Sequence, residues 1–171
     1  IIGIDQIIEY ECYEKDSQYV DKDNLNFLID KIKYPLYHLD FESYNCPLPR
    51  FYGEKPYSQS LFQYSLHVEK TYGDCEIDNS NGNYHYEYLA PDHLDHRRDL
   101  ALKMIQDIDL SNGGTVLAYH AVFEKTRILE LMNLFPDLKE KLKLIYDSVF
   151  DLEDVIHASE KLYQHYDPNY S

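Results

Sequence analysis

Asp40 and Glu42 stand two residues apart at the end of an aromatic run, Tyr34-Pro35-Leu36-Tyr37-His38-Leu39-Asp40-Phe41-Glu42. If that run is a strand, residues two apart share a face, so the two carboxylates project together while Leu39 and Phe41 pack the other way. Carboxylates held that close repel each other unless one is protonated or a cation sits between them. Mg2+ and Mn2+ favour oxygen ligands, and an Asp-x-Glu pair joined by an acid from elsewhere can hold one or two such ions. Two ions about 4 Å apart can ready a water for attack and stabilise the leaving oxygen of a phosphodiester. The plain alternative is a strand end with two solvated acids, because a motif this short often matches by chance.

A second segment, Thr115-Val116-Leu117-Ala118-Tyr119-His120-Ala121-Val122-Phe123-Glu124, reads as a buried strand turning directly into a helix. Glu124 then falls one turn into the helix and can face back toward the end of a neighbouring strand, with His120 at the junction. The alternative is an exposed acid in a first turn, where the helix dipole already favours Glu. Elsewhere His93 and His96, three apart at a helix start, lack a third ligand nearby in sequence. His38 shares a strand face with Asp40 and could line the site, and His67 lies on another strand. Phe41, Gln63 and Tyr64 could touch a base or sugar, or could equally be core. Lys139, Lys141 and Lys143 read as a solvated helix face.

These residues need a frame. Strands are expected at 34–42, 60–70 and 84–89, the last two forming an antiparallel hairpin around the turn formers Asp78-Asn79-Ser80-Asn81-Gly82-Asn83. A helix follows from Pro91 and Asp92 to about Leu110, stopped by Asn112-Gly113-Gly114, then a short strand at 115–120. Helices are expected at 121–134 and 137–145, a brief strand at 148–150 and a last helix at 152–164. Residues 1–33 are mixed and charged, with a short helix at 24–33, and read as a linker or helical segment ahead of a domain spanning 34–171. The order describes an α/β protein: a mixed sheet with flanking helices.

The 171 residues carry 31 acidic side chains against 16 basic ones, a formal charge of -15, with 44% apolar residues. That length suits one main core, and the apolar share is too high for a disordered acidic tail. The acidic surplus argues against a binder that grips phosphate backbones through a broad basic face, but does not exclude an enzyme that meets nucleic acid through metal ions. No apolar run approaches the ~20 residues of a membrane helix. Cys12, Cys46 and Cys75 are odd in number and far apart, which suits a reducing cytoplasm better than a disulfide framework. The first residues carry Asp5 and Glu9 and no basic start, unlike a signal peptide. Beginning at Ile1, the chain reads as a piece of a longer protein, with room for an additional domain before residue 1 that this sequence does not reveal.

Together the two acidic segments resemble the first and second motifs of the DEDD-type 3′-to-5′ exonucleases of the ribonuclease H-like fold. Asp40 and Glu42 match the first motif; His120, Phe123 and Glu124 stand in the places of the second. The run 34–42, Pro56-Tyr57, Phe62-Gln63-Tyr64-Ser65-Leu66-His67 and Ala118-Tyr119-His120 ahead of Phe123-Glu124-Lys125 resemble an uncharacterised bacterial family assigned to that fold, over Tyr34 to the end of the chain. The resemblance implies a divalent-metal-dependent nuclease that removes nucleotides from a single-stranded 3′ end of DNA or RNA. In it Asp40, Glu42 and Glu124 are the catalytic and metal-binding acids, two Mg2+ or Mn2+ ions occupy the intact domain, and Phe41, His120 and Phe123 border the substrate.

Two departures stand out. Glu124 occupies a place where these enzymes usually carry Asp, and its side chain is one methylene longer. Their last motif, a Tyr or His a few residues before a final acid, has a literal match in Tyr163 and Asp167, but Pro168 ends any helix there. The expectation is that the chain stops before the true fourth acid and turns over weakly by itself, and that Asp151 caps a helix. The competing expectation is a catalytically inactive ribonuclease H-like binding or scaffold module.

Overall fold

A computed structural model of the chain describes residues 3–74 and 84–156. It divides into two units: residues 1–31 with 153–171, and Ile32–Leu152. In the first unit lie helices α1 (Ile4–Lys15), α2 (Lys22–Ile29) and the one-turn α6 (Glu153–Ile156). The α1 helix was not expected, and α2 starts two residues before the expected helix and ends four before it. The reason for missing α1 is its surface: Tyr10 and Tyr13 are 63% and 83% exposed, so its large side chains do not gather on one buried stripe.

The second unit holds β1 (Leu36–Asn45), β2 (Gln59–Glu69), β3 (His85–Leu89), α3 (Arg97–Asp107), β4 (Thr115–Ala118), α4 (Val122–Leu134), a 3-10 turn at Pro136–Leu138, α5 (Lys139–Ser148) and β5 (Val149–Asp151). Its sheet has the order β3-β2-β1-β4-β5. Strands β1 to β3 run antiparallel, while β4 and β5 run parallel to β1. This is the expected mixed α/β architecture with flanking helices, consistent with a ribonuclease H-like fold. The β2–β3 hairpin pairs as expected, from Gln63 opposite Leu89 to His67 opposite His85. Its turn residues, the outer part of the last expected helix, and Tyr163 and Asp167 lie outside the described residues.

One face of the sheet carries the core. Tyr37, Leu39 and Phe41 of β1, Tyr64, Leu66 and Val68 of β2, and Val116 and Ala118 of β4 pack with Leu100, Met104, Ile128, Leu131, Leu142 and Ile145 of α3, α4 and α5. Tyr64 lies wholly within this core, and its hydroxyl donates to Asp107 Oδ2 at 2.6 Å. Burial, and then the Asp107 carboxylate, push the phenol's pKa far up. Lys103, one turn back on α3, donates to the other oxygen of Asp107, so the buried acid is satisfied twice.

Helix α3 begins five residues later than the composition suggests. Asp92 Oδ1 accepts from the Leu94 amide at 2.8 Å and Asp95 Oδ1 from the Arg97 amide at 3.2 Å, which holds 92–96 in local turns instead of a helical turn. At its far end Gly114, with φ 137°, enters β4 so close to β1 that a Cβ would come within 3.0 Å of the Pro35 carbonyl oxygen.

Candidate acidic site

Strand β1 outruns its parallel neighbour. Its pairing with β4 ends at His38 opposite Leu117, whereas its pairing with β2 continues through Asp40 opposite Ser65 and Glu42 opposite Gln63. Asp40 and Glu42 therefore lie beyond the carboxyl end of β4, where an open parallel arrangement leaves a crevice for ligands. Alternation along β1 exposes His38, Asp40 and Glu42 and buries Leu39 and Phe41. The register shifts by one residue between Glu42 and Ser43, a bulge directly after the acidic pair.

The chain turns from β4 into α4 within three residues. His120 takes a left-handed conformation, φ 56°, uncommon for a non-glycine residue, and Ala121 follows as the residue before the first helical turn. That turn brings Glu124 onto the inner face of α4, where it is 5% exposed. Its Oε2 is buried with no hydrogen-bond partner. Burial, and after it the charges of Asp40 and Asp151, raise the Glu124 pKa above the ordinary carboxylate range, opposed by its own backbone amide and by His120. The charge of Asp40 thus reaches Glu124 across the end of β4, the side toward which the sequence expects Glu124 to face.

Asp151 is the acid that sequence reasoning undervalued. It ends β5 opposite Ala118, and its Oδ2 accepts from the Ala121 amide at 2.9 Å. It does cap a helix start, that of α4, thirty residues earlier in the chain. Three carboxylates accordingly sit at or just past the carboxyl ends of the three parallel strands: Asp40 from β1, Glu124 from the turn after β4, and Asp151 from β5. The signal available in the sequence was its place at a strand end directly after the apolar pair Val149-Phe150, as Asp40 directly follows Leu39 in β1.

The other predicted residues scatter. Phe41, expected at a substrate, is 4% exposed and belongs to the core, because the alternation that presents Asp40 and Glu42 buries the residue between them. His120 is exposed at the strand-to-helix turn. Phe123 is half-buried, with the Arg127 guanidinium 5.4 Å from its ring centroid. Tyr64 is core and Lys139, Lys141 and Lys143 are exposed. The His93 and His96 pair makes no metal site: His96 places Nε2 2.8 Å from Asp92 and Nδ1 3.1 Å from Asp99, so both ring nitrogens are engaged.

Among the described residues no three His, Cys, Asp or Glu side chains converge closely enough to hold an ion. The donor set nevertheless suits a hard divalent cation in kind, since it consists of carboxylate oxygens, and the orphaned Glu124 oxygen is the atom such a cation would satisfy.

The sequence profile of a family described as "Domain of unknown function (DUF2779)" matches residues 37–171. The chain belongs to the DUF2779 family. This DUF2779 domain is 31% identical over 130 residues to the uncharacterized protein MG366 of Mycoplasma genitalium, a match that covers 74% of the chain but 19% of that protein. The domain thus spans about a fifth of the length of its curated relative. Among solved structures it aligns with Pop2p of S. pombe in its Mg2+- and Mn2+-bound form, at 13% identity and a TM-score of 0.39, covering 80% of this chain and 72% of that one. No helix among the described residues of the DUF2779 domain is long and apolar enough to cross a membrane.

Proposed function

We propose that the chain carries a metal-dependent nuclease domain, extending over 34–171, that hydrolyses phosphodiester bonds as a 3′-to-5′ exonuclease acting on single-stranded ends of DNA or RNA. The observation that supports it most is Glu124: a carboxylate with an unpaired buried oxygen, set at the end of a parallel strand where the charges of Asp40 and Asp151 reach it. A proton on Glu124 relieves the repulsion at that one residue, whereas a bound cation would relieve all three acids at once.

In this reading Asp40, Glu42 and Glu124 would hold Mg2+ or Mn2+, which when bound supplies an activated water and neutralises the leaving oxygen. The rest falls to the chain itself. Asp40 and Glu42 are held rigidly by the β1–β2 pairing, and the buried Phe41 fixes the strand between them from behind. His120 and Phe123 border the approach to Glu124. Asp151 anchors the amide of Ala121 and so fixes where α4 begins. Glu42, next to the bulge in β1, would meet the terminal nucleotide.

A second reading, a ribonuclease H-like binding or scaffold module without turnover, is favoured by the absence of a converged ion-binding group among the described residues. One assay separates the two. The full-length protein that carries this domain is incubated with 5′-labelled single-stranded DNA and RNA in Mn2+ or EDTA, beside Asp40→Asn. Shortening from the 3′ end in Mn2+ only, lost in Asp40→Asn, is the expected result. Equal shortening by the variant, or none by either protein, defeats the nuclease reading.

A further inference from the structure

The solvent face of the sheet carries a row of histidines. His38 of β1 stands directly opposite His67 of β2, and His67 directly opposite His85 of β3. All three are exposed, because alternation along β2 sends Leu66 and Val68 into the core and His67 to the other face. The nearest acid of the site described above, Asp40, pairs with Ser65 and not with a histidine.

The two halves of the row differ. Val68 N donates to the Tyr84 carbonyl at 2.7 Å, so that pair is hydrogen-bonded. Its neighbours His67 and His85 therefore form a non-hydrogen-bonded pair, the kind that brings Cα atoms to about 4.5 Å and side chains closest together. Their rings are accordingly in contact, with centroids 4.4 Å apart and planes inclined by 44°. The amide and carbonyl of His67 then point toward β1, which makes His38–His67 the wider kind of pair, about 5.5 Å between Cα atoms. His38 is also drawn aside, its Nε2 lying 3.7 Å from Glu69 Oε2.

The chemistry of the closer pair suits a metal. Burial, and then the charges of His85 and His38, lower the His67 pKa, so at neutral pH its ring is uncharged and keeps a nitrogen lone pair. His85 has a carboxylate beside it: Nε2 lies 3.5 Å from Glu87 Oε2, the kind of outer partner that orients a ligating imidazole and leaves Nδ1 for the ion. An ion about 2.0–2.1 Å from one nitrogen of each ring needs centroids about 5 Å apart, so a small rotation of these exposed side chains suffices. Imidazoles suit Zn2+, Ni2+ or Cu2+, whereas Mg2+ and Mn2+ prefer the oxygens of carboxylates. With two protein ligands converging and no third, water completes the shell.

We propose that His67 and His85 form a cross-strand binding site for a divalent transition-metal ion of the imidazole-preferring class, such as Zn2+. Among the described residues β3 is the outermost strand of the sheet, next to β2. An ion held by both histidines staples that edge strand to its neighbour. The site shares no residue with the acidic one and differs from it in metal preference, so it can be filled whether or not the domain cleaves phosphodiesters.

The test is calorimetric titration of the full-length protein that carries this domain with Zn2+, in excess Mg2+ to keep carboxylate sites filled. It is repeated on His67→Phe and His85→Phe, which keep the ring contact and remove the nitrogens, and on His93→Phe as a control. Thermal melts verify folding, and His67→Gln and His85→Gln serve as second variants. A saturable Zn2+ site is expected, weakened about tenfold or more in either row variant, since even an outer-sphere partner is worth that much, and retained in His93→Phe. Cu2+ bound in place of Zn2+ should show electron-spin coupling to two imidazole nitrogens in the parent and fewer in the row variants. No Zn2+ binding at millimolar ion, unchanged affinity in the folded row variants, or a Cu2+ spectrum without nitrogen coupling overturns the proposal.

Discussion

Glu124 links burial to pH. Its folded-state pKa lies above the ordinary carboxylate value, first through burial and then through Asp40 and Asp151. The folded protein therefore holds this proton more tightly than the unfolded chain does. The resulting stabilisation is complete below about pH 4 and is lost as pH rises through the raised pKa. Glu124→Gln removes the titration, so the metal-free variant is expected to melt higher than the parent chain at pH 7.5 and to match it more closely at pH 4.5. Mn2+ should raise the parent's melting temperature more at pH 7.5 than at pH 5 and leave Glu124→Gln unmoved. Thermal melts at the two pH values decide it, and equal pH profiles for parent and variant would refute the assignment. At this scale the positions of Asp40, Glu42 and Glu124 were legible, because the period of two in a strand sets the first pair on one face and the strand-to-helix pattern puts the third in the first turn of α4. Arg97, Arg127 and Glu54 were not, since a single charged residue in sequence looks like surface, and only tertiary packing shows that these are buried.

The decisive element is the junction at the carboxyl ends of β4 and β5. Leu152 N donates to the Ala118 carbonyl at 2.9 Å and Asp151 accepts from Ala121, so β5 fastens the turn from both sides. Asp151→Asn keeps an oxygen for the Ala121 amide and drops the charge, whereas Asp151→Ala drops both. Urea unfolding should show Asp151→Ala losing about 1–2 kcal/mol and Asp151→Asn less than half of that. Similar losses in the two variants would mean that the charge, not the hydrogen bond, carries the effect. Strands β1, β2, β4 and β5 and helix α4 were readable from apolar patterning and flanking Pro and Gly residues. The start of α3 was not, because Asp92 and Asp95 withdraw amides into side-chain turns, a choice that composition does not reveal.

For the whole molecule the governing quantity is the formal charge of -15. A polyanion reaches nucleic acid only where cations bridge the two, so binding of the Asp40→Asn protein to a labelled single strand should be weak in EDTA. For Glu42 and Glu124 to serve as ion holders, millimolar Mn2+ should strengthen that binding by at least ~10-fold. Fluorescence anisotropy measures it; tight binding in EDTA would point to a basic surface that the described residues do not display. The mixed sheet itself was legible, because a hairpin followed by alternating helices and strands leaves few ways to cover one apolar face. The pairing of a distant acid with a distant amide was not, being a property of the closed fold.

Helix α4 carries Glu124 near one end and Arg127 a turn further along the same inner face, with Ile128 and Leu131 wedged into the core behind them. Such a rod moves as one piece, so a substitution that shifts α4 at Ile128 or Leu131 is expected to carry Glu124 away from the strand ends as well.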